Sequence, residues 1–542
     1  MRINFKEIPG YHKLFLDYLY DFEKVKKFYF YNFRDKEKYA EVFQQIYKRE
    51  NDRRLSIKSI IKNQYSNYTN VSEKTLKNID LISDKKTLFI ITGQQIGILG
   101  GPLYTFYKIL TAIKLSSHLN ERFDNYYFVP IFWMESDDHD FKEVNSINIL
   151  NDGNNLLNIR YKEDFLNDEF RQSVGTLTFD EAINNVFSKL ENELRNTEFK
   201  ESLLSRLKEI YKPGKTFSQS YRELLLEYFD CYGLLVFDPQ DTEVKKLLKP
   251  IFIKEIKNFK EHTEKLVSIS AELEDNYHAQ VKIKPVNLFY TIDNGRYSIY
   301  PDENIFKLKR KRKQFSFDEI LSEIENYPEK FSPNVILRPI VQDYLFNTAF
   351  YIAGPNEIAY FAQVNPLYKV FDLTPPIIFP RSSTTLFEKQ LNKFLEKYNI
   401  DIKEIFSSQN QLKEKIVNKI SEINISSVFN NSNVQMNLIF DELKENLFAI
   451  DKNLSDAVEK YREKSLQIIR ELENKSNKFQ EMKFETVLLQ LGKLLNFLYP
   501  NGNLQERELN FVYFYNKYGH YLMDKIFEEL SIQDFEHQII YL

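Results

Sequence analysis

The pattern of apolar and polar positions changes period several times along the chain. Residues 87–92 (TLFIIT) are a short, uninterrupted apolar run with β-branched side chains, which predicts a buried strand. Over residues 104–119, Phe106, Ile109, Leu110, Ile113 and Leu119 recur at helical spacing, and residues 126–133 (YYFVPIFW) form a second apolar run. Strand, loop, helix and strand predict a βαβ unit of a parallel sheet. Pro130 is an awkward residue for a central strand. Further apolar runs at 233–239 (GLLVFDP), 334–339 (NVILRP) and 375–381 (PPIIFPR) read as additional strands of that sheet.

The stretches between these runs differ in character. Residues 1–86 are polar, Lys-rich and aromatic, and read as covering helices. Residues 151–231 are charged and predict β structure followed by helices. Residues 277–330 alternate, with Asp293-Asn294-Gly295 supplying a hairpin turn. Both read as insertions in one doubly wound α/β core. The expected parts are core at 1–150, 232–276 and 331–384, insertions at 151–231 and 277–330, and a helical coiled-coil domain at 385–484. Residues 485–542 are too aromatic to be free and are expected to dock back on the core. In the helical region Phe440, Leu443, Leu447, Ile450, Leu454, Ala457 and Tyr461 follow a heptad seam. Such a seam serves an antiparallel hairpin within one chain or a dimerising coiled coil; the expectation here is a homodimer.

Composition narrows the function. A formal charge of -4 over 542 residues gives no global attraction to nucleic acid or to acidic membranes. The basic run 307–313 (KLKRKRK) carries no interleaved aromatic platform, so it reads as a solvated hairpin. The single cysteine, Cys231, lies among apolar neighbours and reads as buried and inert. The first residues lack a signal-peptide pattern, and no apolar run approaches the ~20 residues of a membrane span. A cytoplasmic protein is expected.

Three stretches carry candidate chemistry. Residues 92–108 (TGQQIGILGGPLYTFYK) follow a strand and hold Gly93, Gly97, Gly100 and Gly101, but match neither the P-loop nor the dinucleotide pattern. Gly101-Pro102 suits a helix start, whose free N–H groups would bind a ligand, with Gln94 and Gln95 as neutral donors and acceptors. Residues 133–145 (WMESDDHDFKEVN) crowd Glu135, Asp137, Asp138, His139, Asp140 and Glu143 beside Trp133, the only tryptophan. Crowded carboxylates need a positive partner: a Mg ion, a substrate ammonium or an arginine. No His-x-x-x-His or cysteine pattern favours a metal. Residues 338–363 place Arg338, Gln342 and Asp343 against an apolar strand, then Glu357 and Tyr360 on one face of a short helix. Arg338 could clamp an anion, as could Arg381 at the end of PPIIFPR.

Taken in order, TGQQ-x-G-x-x-x-GPLYT-x-YK, P-x-FW-x-x-x-x-DHD-x-x-E-x-N, LRP-x-x-QD, Y-I-x-GP-x-E-x-x-Y-x-x-Q and the terminal LQERELNFVYFYNKYG resemble the BshC family of bacillithiol biosynthesis cysteine-adding enzymes. The resemblance implies a Rossmann-type core with two connective-peptide insertions and a dimerising coiled coil. It implies a ligase that joins the carboxyl group of cysteine to the amine of glucosaminyl malate, with ATP (and Mg) as activator by analogy with synthetase-like ligases. From the residues themselves, the expected substrate contacts are Gly93, Gln94, Gln95, Gly97, Gly101, Tyr104, Lys108, Trp133, Asp137, Arg338, Gln342, Asp343, Glu357, Tyr360 and Arg381. Asp138, His139 and Asp140 would carry catalysis. No HIGH-like histidine pair lies in residues 92–108 and no KMSKS-like lysine lies near Arg381. From another class, a non-catalytic Rossmann-type ligand-binding protein that recruits a partner through its coiled coil also fits.

Overall fold

The computed structural model describes residues 1–49, 51–162, 171–421 and 423–542. The chain divides into two compact units, residues 1–387 with 504–542, and residues 388–503.

The first unit is built on five parallel strands: β1 (Thr87–Gln94), β2 (Tyr127–Met134), β3 (Leu235–Phe237), β4 (Thr348–Ala353) and β5 (Ile377–Pro380). Their spatial order is β5-β4-β1-β2-β3, a doubly wound Rossmann arrangement whose direction reverses between β1 and β4. Every position of β4 and all but the last of β1 are buried, as a parallel sheet covered on both faces requires. Pro130 is tolerated because only Ile131–Trp133 pair with β3, so the proline lies outside that ladder. Helix α1 (Tyr104–Arg122) connects β1 to β2. The long α2 (Thr242–Glu274) follows β3, α3 (Arg338–Leu345) precedes β4, and α4 (Pro355–Val370) connects β4 to β5.

NVILRP is not a strand. Asn334 Oδ1 accepts the N–H groups of Ile336 and Leu337, both at 3.0 Å, and the turn feeds α3, with Pro339 in its first turn. Such a side-chain turn competes directly with strand pairing. Helix α4 is also longer than the short helix expected.

The segment after β2 carries the hairpin Ser146–Leu150 with Leu156–Arg160, then helices Ile183–Glu193, Lys200–Ile210 and Phe217–Phe229. The portion of the expected first insertion at 163–170 lies outside the described residues. The second inserted region forms a five-stranded antiparallel sheet. Its hairpin turns at Asp293 and Asn294, both left-handed, with Ile292 paired to Gly295. Within the basic run, Lys307 pairs with Asp302 and Lys311 with Asp293, so the run is a charged hairpin surface. Cys231 is exposed, contrary to expectation: it sits in the single turn Asp230–Tyr232, which faces outward despite its apolar sequence neighbours.

A small sheet joins the chain's extremes. Strand His537–Tyr541 lies between Arg2–Ile3 and Ser383–Phe387.

In the second unit, α5 (Ile425–Phe448) and α6 (Lys452–Lys483) form a helical hairpin tied by Lys444–Glu459 and Arg462–Asp441 ion pairs. The heptad seam therefore does not run on through Ile450. The chain turns there, and Asp451 caps α6 by accepting the Asn453 N–H at 2.8 Å. No helix among the described residues is long and apolar enough to cross a membrane.

Candidate active site

A cavity of about 490 Å³ opens at the carboxyl ends of β1, β2 and β4, where an open α/β sheet binds ligands. The end of β1 supplies Gly93 and Gln94, the loop after it Gln95, and α1 supplies Tyr104 and Lys108. Strand β2 contributes Trp133 and the segment after it Asp137, Asp138 and His139, and the other side has Arg338, Glu357, Tyr360 and Arg381. Four distant parts of the sequence thus converge. Gly97, Gly101, Asp140, Gln342 and Asp343 do not line the cavity.

Gly93 is glycine for a packing reason. An added Cβ would lie 2.8 Å from the carbonyl oxygen of Trp133 on the neighbouring strand. Gly97 and Gly101 shape the turn: a Cβ on Gly97 would come within 3.2 Å of the Gly101 Cα, and Gly101 has φ +68°. The expected anion cradle at the start of α1 is not there. The helix begins at Tyr104 rather than Pro102. The Leu103 N–H donates to the Leu509 carbonyl at 3.1 Å, and Asn510 Nδ2 donates to the carbonyls of Leu99 (2.9 Å) and Gly101 (2.6 Å). The C-terminal segment thus braces the turn before the helix and takes up one of the N–H groups at its start. Gln94 instead contacts the Tyr104 hydroxyl and Lys108, while Gln95 Nε2 donates to Asp138 Oδ2 at 2.6 Å.

The acidic cluster is balanced by buried cations. Asp137 pairs with Lys245 Nζ at 2.6 Å, the lysine side chain being 2% exposed. Asp138 lies 3.7 Å from Arg296. Burial opposes the Asp138 charge, yet Arg296, the Gln95 amide and His139 outweigh it and hold the carboxyl below its usual range. His139 faces Arg171 at Nε2 (3.2 Å) and Arg296 at Nδ1 (3.4 Å). A neutral imidazole has one acceptor nitrogen, so the two guanidinium groups compete for it. Burial and these cations push the ring down to about 4. Asp140 is exposed and precedes the short helix Phe141–Val144. Among the described residues no group of three or more His, Cys, Asp and Glu side chains could hold a metal ion.

The opposite wall is an ion-pair lattice. Lys108 Nζ reaches Glu357 at 2.5 Å and donates to the Gly93 carbonyl at 3.0 Å. Burial opposes the Glu357 charge, but Lys108 and the N–H of Gly354 keep its carboxyl low. Arg338 spends its fork within the protein: Nε on Glu135 at 2.9 Å, Nη1 on Gln342 at 3.1 Å, Nη2 on the Tyr351 and Tyr360 hydroxyls. Gln342 and Asp343 act behind it, Gln342 donating to Asp343, which also accepts from Tyr368 at 2.6 Å. Arg381 pairs with the fully buried Glu506 at 2.7 Å.

The sequence placed Glu135 and Glu143 in the acidic cluster without a role of their own and gave no sign of Lys282, Lys284, Phe289, Arg296 or Arg507; all seven line the cavity. Arg296 occupies the hairpin that the sequence marked only as a turn, with its guanidinium 3.9 Å from the Phe289 ring centroid. Among the described residues, Lys282, Lys284 and Arg507 have no carboxylate within ion-pairing distance.

Models of the bacillithiol biosynthesis BshC N-terminal Rossmann-like domain and C-terminal coiled-coil domain match residues 1–382 and 384–542. The chain belongs to the BshC family. Proteins described as putative cysteine ligase BshC are similar throughout. The one from Salinibacter ruber is 31% identical over 98% of this chain and 97% of its own. That from Chloroherpeton thalassium is 33% identical, covering 86% and 85%, and that from Flavobacterium psychrophilum 32%, covering 97% of each. Both stretches matched by the BshC models contribute to the cavity, because Arg507, which lines it, falls in the second, as does Glu506 behind Arg381.

Proposed function

We propose that this protein is a ligase that joins the carboxyl group of L-cysteine to the amine of glucosaminyl malate, the last step of bacillithiol biosynthesis. The observation that carries the reading is the cavity at the switch point of a BshC-family chain, with opposite charges at separate places on its wall. Asp138, held ionised, offers a seat for the sugar ammonium. Lys282, Lys284 and Arg507 offer counterions for the malate carboxylates, because Arg338 and Arg381 are already paired with Glu135 and Glu506. Gln94, Tyr104 and Trp133 line the wall between as hydrogen-bonding and apolar contacts. His139, neutral at physiological pH, orients rather than carries charge.

At the start of α1 the Leu103 N–H is already bonded to the Leu509 carbonyl, so that amide is not free for a phosphate; no step is routed through ATP. The helical unit leaves Leu443, Ile450, Tyr461, Ile468, Leu472 and Phe479 exposed, which supports a homodimer formed through that unit. Thiol profiling of cells lacking the protein tests the function. Loss of bacillithiol with accumulation of glucosaminyl malate, both reversed by re-expression, is expected. Unchanged bacillithiol would remove the ligase assignment.

A further inference from the structure

We infer that Glu135 is the base that takes the proton from the attacking amine. This inference rests on the ligase reading. The step is R–NH3+ and carboxylate giving R–NH2 and carboxylic acid. An N–H bond breaks with its electron pair left on nitrogen, an O–H bond forms on Glu135, and charge balances. The freed lone pair is what can attack the acyl carbon.

The geometry singles out this carboxylate. Glu135 follows the last residue of β2, lines the cavity, and donates its own N–H to the Gln94 carbonyl at 3.0 Å. Oε1 lies 2.9 Å from Arg338 Nε, and the rest of that arginine is fixed by Gln342, Tyr351 and Tyr360. No other hydrogen bond or ion pair engages the Glu135 carboxylate among the described residues, so its second oxygen is left for a ligand. Three of the other cavity acids have separate cationic partners, Lys245 for Asp137, Arg296 for Asp138 and Lys108 for Glu357, whereas Glu143 is in no ion pair among the described residues.

The charged neighbours of Glu135 are Arg338 from α3, Glu357 from α4, Asp137 and Asp138 from its own segment, and Arg296 from the inserted sheet. Burial, reinforced by the three acids, outweighs Arg338 and lifts the carboxyl to about 7. The difference decides between bases. Against an amine titrating near ~8, a base near 7 accepts the proton at a penalty of roughly tenfold, whereas a group near 4 does so at roughly ten-thousandfold. His139 is in the second position. Glu143 is also raised by burial and is the competitor to eliminate.

The test has two arms. Purified full-length wild type, Glu135→Gln, Glu135→Asp and Glu143→Gln receive glucosaminyl malate and a preformed cysteine thioester as acyl donor, and kcat and KM are followed from pH 5 to 9. Expected are a wild-type kcat falling below about pH 7, a loss of roughly 100-fold or more with that limb abolished in Glu135→Gln, and KM changed less than about threefold. Glu135→Asp keeps part of the rate and the limb; Glu143→Gln keeps the limb. Glu135→Gln preserves volume and an acceptor for Arg338, and unchanged Trp133 emission confirms its fold. In cells lacking the protein, Glu135→Gln should fail to restore bacillithiol while Glu135→Asp restores some. A Glu135→Gln variant that restores it fully, or retains rate and limb, overturns the assignment of the base. Bacillithiol that persists without the protein overturns the ligase reading instead.

Discussion

Glu506 is the position where the structure makes its most demanding stability prediction. Its carboxylate has no exposure and accepts from Arg381 Nη2 (2.7 Å), Ser383 Oγ (2.8 Å) and the Thr384 N–H (3.0 Å). Glu506→Ala leaves a guanidinium with 4% side-chain exposure uncompensated, together with a stranded hydroxyl and N–H. Removing one partner of a buried pair costs about 3–5 kcal/mol, against a total near 5–15 kcal/mol for a native domain. Replacing both charges, as Arg381→Met with Glu506→Leu, should recover most of that loss, because neither desolvated charge then remains. Urea unfolding followed by Trp133 fluorescence is the assay. It is the only tryptophan, is 1% exposed, and lies in β2 of the same unit, so it reports this unit's transition. A Glu506→Ala loss below about 1 kcal/mol, or a double variant as unstable as the single, would refute the reasoning.

Three further outcomes follow from separate contacts. Gly93→Ala drives a Cβ to 2.8 Å from the Trp133 carbonyl and should cost about 1–3 kcal/mol by overpacking, read as a lowered urea midpoint. Asn510→Ala strands the Leu99 and Gly101 carbonyls, costing about 1–3 kcal/mol and accelerating amide exchange across residues 98–103 by mass spectrometry. His537 is fully buried, and burial pushes it from 6.5 down to about 4. The unfolded chain therefore binds the extra proton first. His537 contributes its full share above pH 6.5, and about 3 kcal/mol is lost as pH falls from 6.5 to 4, checked by comparing urea midpoints of wild type and His537→Asn over that range.

The strands were legible because a parallel strand buried on both faces reads as an unbroken apolar run, as at Thr87–Gln94 and Ile377–Pro380. NVILRP misled because Asn334 diverts the backbone into a turn, a choice made by one side-chain oxygen. The loop at 92–108 lends Gly93, Gln94, Gln95, Tyr104 and Lys108 to the cavity, but its brace depends on Asn510, 411 residues downstream of Leu99, for which no local signal exists. The heptad spacing through Ile450 had the right period for α5 and α6 but could not reveal the turn between them. Glu135 stood in plain view among six other ionisable residues of the stretch 133–145. Only its surroundings, one arginine against three acids, distinguish it.

The strand His537–Tyr541 has a consequence for how the protein is made. It fills the middle place of its sheet, between partners at residues 2–3 and 383–387. Those partners are synthesised before the helical unit at 388–503, and the filler after it. At ~5–20 residues per second, translating that unit takes roughly 6–23 s. Throughout that interval the nascent Rossmann unit carries two unpaired edges and a glycine loop without its Asn510 brace. Edges of that kind recruit strands from other chains, so yield on expression should depend on what shields the half-built unit during the wait.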